Sequence, residues 1–137
     1  MYTRIMIPVD LAHKDQLTKA IRTGADLARH YKAPVTFVGV TGVQPTPAAH
    51  SPEEYSRKLD AFAKAEAEAH GIEATAKTIV AHDPMVETDR KLADAVKELE
   101  ADLVVMGSHI PRAFEFGSHG GALASHSSAT VMLVRGD

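Results

Sequence analysis

The chain has 137 residues, a formal net charge of −3, 45% hydrophobic and 24% charged residues, and no cysteine. That length and composition suit one globular domain over residues 1–137, and the missing cysteine excludes disulfides, zinc–thiolate centres and a thiol nucleophile. The slight acidity argues against nucleic acid as a partner, and no run reaches the ~20 apolar residues of a membrane span.

The opening MYTRIMIPVD is too short an apolar run for a secretory signal, so a cytoplasmic protein is expected. Residues 4–9 (RIMIPV) read as a first strand, ended by Asp10. A helical stripe follows, with Leu17, Ala20, Ile21, Ala25, Ala28 and Tyr31 on one face and Asp15 as its N-cap. Residues 35–40 (VTFVGV) form a second buried strand, and 42–50 a loop with two prolines. Ser51, Pro52 and Glu54 make a capping-box start for a helix that runs to about His70, where Gly71 stops it.

Residues 73–80 alternate roughly in polarity, which predicts a third strand at a sheet edge. Asp83-Pro84 opens a helix with Val86, Leu92, Ala93, Val96 and Leu99 inward. Residues 103–107 form a fourth strand, 118–127 a short helix, and 130–134 (TVMLV) a fifth strand. Strands alternating with helices predict an α/β fold: an open five-stranded parallel sheet with helices on both faces. Its crossovers are right-handed.

In such a sheet the ligand crevice lies at the carboxyl ends of the strands, where the winding reverses. This rule selects Pro8-Val9-Asp10, Val40-Thr41-Gly42 and Met106-Gly107-Ser108-His109. It also selects Gly117-Ser118, where free backbone N–H groups at a helix start favour an anion. On spacing alone, the favoured reading is a capped helix whose glycines let it pack close to the sheet.

The opening strand ending in P-V-D, the Asp83-Pro84 helix start, the run ADLVVMGSH, a Gly-Ser and the final VMLVR occur here in that order. Together they resemble the universal stress protein family over nearly the whole chain. The resemblance implies a Rossmann-like fold of the adenine nucleotide α-hydrolase type, with the first and fourth strands adjacent and ATP or AMP at the crevice. It implies Pro8, Val9 and Asp10 at the adenine–ribose end, Val40 against adenine, and Met106 and Gly107 beside the ribose and first phosphate. Gly117, Ser118, His119 and Gly120 would hold the phosphates, with His109 a further donor. A magnesium ion would arrive with the nucleotide, held mainly by phosphate oxygens, with Asp10 a direct or water-mediated ligand.

Nucleotide-binding members carry Gly-x2-Gly-x9-Gly-Ser/Thr. Here Ile110 stands at the second glycine, and nine residues separate Gly107 from Gly117 where the pattern implies twelve. A register on Gly120 and Gly121 restores the spacing but loses the Ser/Thr. The register on Gly117 is preferred because its distance to the last strand matches the family. Ile110 cannot readily adopt positive φ, so a weakened phosphate end is expected, with Arg112 supplying charge in place of lost amides.

The eight histidines show no metal-ligand spacing. Ser108 and Ser118 lack a nucleophile elbow, and no phosphate-loop motif with lysine exists. No catalytic residues are therefore assigned, and a regulator rather than an enzyme is expected. The resemblance also implies a homodimer through residues 130–134, an apolar edge open to pairing. The alternative is a family member that binds no nucleotide and acts through its dimer and partner-binding surface.

Overall fold

A computed structural model describes residues 1–108, 123–124 and 127–136. Five strands form one parallel sheet: β1 (Ile5–Pro8), β2 (Val35–Thr41), β3 (Ala74–Val80), β4 (Leu103–Ser108) and β5 (Thr130–Arg135). Their spatial order is β3-β2-β1-β4-β5. The winding therefore reverses between β1 and β4, as the family resemblance implies; β3 lies at an edge, as its alternation predicts, and β5 is the other edge.

Three α-helices lie wholly within the described residues: α1 (Thr18–Tyr31), α2 (Pro52–His70) and α3 (Pro84–Leu99). Alternation along each strand sorts the core into two layers. Ile5, Ile7, Val35, Phe37, Leu103 and Val105 pack with Ala20 and Ile21 of α1 and with Tyr55, Leu59 and Ala63 of α2. Met6, Val38, Val104 and Met106 face the other way, toward Leu92, Ala95 and Val96 of α3. Leu123, in helical conformation, joins this second layer. Of the helix expected over 118–127, the described residues are Leu123 and Ala124, which are helical, and Ser127, which is not.

The helix starts follow local chemistry. Ser51 caps α2 by accepting the Glu54 N–H at 3.1 Å. The Glu54 carboxylate takes the N–H of His50 at 3.1 Å, one residue before the partner a standard capping box uses. In α3 the Glu87 carboxylate accepts the Asp83 N–H at 2.7 Å, while the Asp83 side chain itself makes no capping bond.

Two expectations are corrected. Asp15 does not cap α1: a 3-10 turn over Leu11–Leu17 precedes the helix, and Asp10 caps that turn. Val86 does not face the core and is 76% exposed. At 3.6 residues per turn it sits about 120° around α3 from Leu92, off the buried stripe of Leu92, Ala95 and Val96.

Candidate functional site

The crevice opens where β1 leaves β4. These strands pair only at Ile5↔Leu103 and Met6↔Val104, although β4 continues to Ser108. Past Met6, β1 stays with β2, and after it the Val9 N–H donates to the Val38 carbonyl at 2.8 Å. Pro8 has no N–H with which to hold a ladder. The carboxyl ends of β1 and β4 therefore diverge, leaving a cavity of about 550 Å³, within the usual range for small-molecule sites.

Six residues selected from the sequence line it: Pro8, Val9, Asp10, Val40, Met106 and Gly107. His109, Gly117, Ser118, His119 and Gly120, together with Ile110, lie outside the described residues. The cavity has further walls that strand-end reasoning missed. Val38 and Leu17 line it, and so do Pro84, Met85, Thr88 and Leu92 from α3. The signal for α3 was present in the sequence: Pro84, Thr88 and Leu92 recur every four residues, and the Asp83-Pro84 start follows the carboxyl end of β3.

The lining is apolar at its floor. Val38, Met106 and Leu92 are buried, and the Met85 side chain stands almost free at the rim. Gly107 has its open side toward α1, where an added Cβ would come within 2.5 Å of the Leu17 side chain. Asp10 is the carboxylate of the cavity wall. Its Oδ1 accepts the Ala12 N–H at 3.0 Å, and its Oδ2 lies 2.9 Å from His13 Nδ1.

Beneath this turn sits Tyr55 of α2, which is buried. Burial and the Asp10 charge push its hydroxyl up to about 12, against a hydrogen bond with the Leu11 backbone. Gly39 makes room for this ring, since a Cβ there would lie 2.5 Å from the phenolic oxygen. Among the described residues, no group of three or more His, Asp or Glu side chains could hold a metal ion.

This architecture matches a known one. The model of the universal stress protein family matches residues 1–135. The chain belongs to the universal stress protein family. Among solved structures, a universal stress protein from Archaeoglobus fulgidus in complex with dAMP aligns at TM-score 0.69 and 21% identity, covering 96% of this chain and 97% of its own. A universal stress protein family protein from Arabidopsis thaliana with AMP bound aligns at TM-score 0.72 and 16% identity, covering 98% and 92%. A universal stress protein in complex with cAMP aligns at 0.71 and 19%, covering 99% of both chains. At these identities the likeness is one of fold. No curated protein matches this universal stress protein at a significant level. None of the helices among the described residues is long and apolar enough to cross a membrane.

Proposed function

We propose that this universal stress protein binds an adenine nucleotide, ATP or AMP, in the crevice between β1 and β4. It then acts as a cytoplasmic stress-response regulator rather than an enzyme. The observation that carries this reading is the cavity itself, which lies at the winding reversal and is walled by Pro8, Val9, Asp10, Val40, Met106 and Gly107. Structures of the same fold with AMP, dAMP or cAMP support it.

The apolar floor suits a purine face, and Asp10 at the wall suits a donor such as a sugar hydroxyl. The phosphates would run toward Gly107 and on to Gly117, Ser118, His119 and Gly120, with His109 as a further donor. Magnesium, if it accompanies the nucleotide, would be held by phosphate oxygens. Both Asp10 oxygens already accept hydrogen bonds, which favours Asp10 as an acceptor for sugar hydroxyls over a direct metal ligand. Isothermal titration with ATP, ADP and AMP tests the proposal, with saturable heat expected. No heat and no thermal shift at millimolar nucleotide would defeat it.

A second reading has its own support. On the edge strand β5, Met132 and Leu133 are 36% and 41% exposed. Exposed apolar side chains on an unpaired strand edge favour pairing with a second copy. In this reading the family member works through its dimer and partner-binding surface without nucleotide. Ile110→Gly separates the two: nucleotide binding that appears only in the variant would favour the surface reading for the native chain.

A further inference from the structure

The Asp10 carboxylate is fixed from two sides before any ligand arrives. Ala12 N–H holds Oδ1 at 3.0 Å, and His13 Nδ1 stands 2.9 Å from Oδ2. An ionised carboxylate can only accept, so Nδ1 carries the proton, and the neutral ring is sufficient. His13 has φ −130° and ψ 29°, a departure from helical geometry inside the 3-10 turn. Its own N–H donates to the Asp10 carbonyl at 3.0 Å. This kink folds the imidazole back onto the residue that walls the cavity.

Stability does not explain the pair. The His13 and Asp10 side chains are 58% and 64% exposed, and exposed pairs contribute little to folding. Each Asp10 oxygen keeps lone-pair capacity after its first hydrogen bond. A carboxylate held this way is an oriented acceptor on the wall of the cavity, and it repels phosphate.

We infer that His13 is a positioning residue for ligand selection: it sets the Asp10 carboxylate to accept from the sugar hydroxyls of a nucleoside monophosphate whose phosphate points away. The inference rests on the nucleotide reading of the same cavity. Orienting an acceptor in advance raises affinity by removing the cost of ordering it on binding.

The test compares AMP with 2′,3′-dideoxy-AMP by isothermal titration on the full chain. His13→Ala weakens AMP about 3- to 10-fold, the scale of one hydrogen bond's net contribution, and leaves the dideoxy ligand unchanged. His13→Asn, whose amide can also donate, restores most of the loss. In an Asp10→Ala background His13→Ala has no further effect, because it acts through that carboxylate. Unchanged AMP affinity in His13→Ala, or equal weakening of both ligands, overturns the assignment. Without any ligand, the Asp10 13Cγ resonance moves in His13→Ala; an unmoved resonance overturns it as well. Wild-type protein that binds neither nucleotide overturns the cavity reading and the ligand assignment with it. That outcome is distinct from wild-type binding with a silent His13.

Discussion

Asp102 ties the amino end of β4 to that of β1. Its carboxylate accepts from Thr3 N–H at 2.9 Å, Thr3 hydroxyl at 2.9 Å and Arg4 N–H at 3.0 Å. Burial works to raise this carboxyl, but the hydrogen bonds from Arg4 and Thr3 outweigh it and hold it below its ordinary value. A lowered folded-state value adds stability above the ordinary carboxylate range, and that stability disappears as pH falls through the folded value. Asp102→Asn therefore destabilises at neutral pH by about 1 kcal/mol. The gap between the two urea midpoints closes as pH drops below about 4. A gap independent of pH would assign the effect to shape rather than charge. Gly39 gives a second residue-scale prediction. Gly39→Ala drives a Cβ to 2.5 Å from the Tyr55 oxygen, costing about 1–3 kcal/mol by overpacking. Tyr55→Phe in the same chain relieves part of that loss in thermal melts.

Each of α1, α2 and α3 ends on a left-handed residue, and of these three only one is glycine. Gly71 closes α2 with φ 63°, whereas Lys32 closes α1 at 55° and Glu100 closes α3 at 53°. A side chain in that conformation is strained by roughly 1–2 kcal/mol, partly offset when glycine loosens the unfolded chain. Lys32→Gly is thus expected to raise stability by about 0.5 kcal/mol, and a lowered urea midpoint would refute this account of the cap. The helices differ in what their faces do. Leu59 of α2 is fully buried, and Leu59→Ala is expected to cost about 2–5 kcal/mol. Val86 of α3 stands in water, so Val86→Ser changes stability by less than about 0.5 kcal/mol. Periodicity alone made Val86 look inward. Val86 shares a side of the helix with half-buried Ala93, seven residues on, and that side lies at the margin of the stripe that Leu92, Ala95 and Val96 bury.

At the scale of the molecule, the proposed pairing with a second copy rests on β5, whose Met132 and Leu133 side chains are part-exposed. With the second-copy reading, Leu133→Lys places a charge on the exposed apolar edge and shifts the protein to monomer in sedimentation velocity. An unchanged sedimentation coefficient would remove β5 from the dimer proposal. The local sequence determined a great deal here. Short apolar runs bounded by Pro, Gly and Asp defined all five strands within a residue or two. The Ser51-Pro52 and Asp83-Pro84 starts placed two helices, since capping and proline effects act over a few residues. Strand-end logic also named six residues that meet at one cavity. Only the tertiary structure decided the rest. Leu17, Val38 and Leu92 join that cavity because elements far apart in the chain pack together across it. Asp10, read as a ligand-facing residue at a strand end, is held by Ala12 and His13, and a 3-10 turn displaces the helix start from Asp15. The divergence of β1 from β4 past Met6 is likewise a property of three strands competing for one another's backbone groups. Patterns of neighbours along a chain encode local conformation. Where a carboxylate points and where two strands part depend on contacts between residues that the sequence keeps apart.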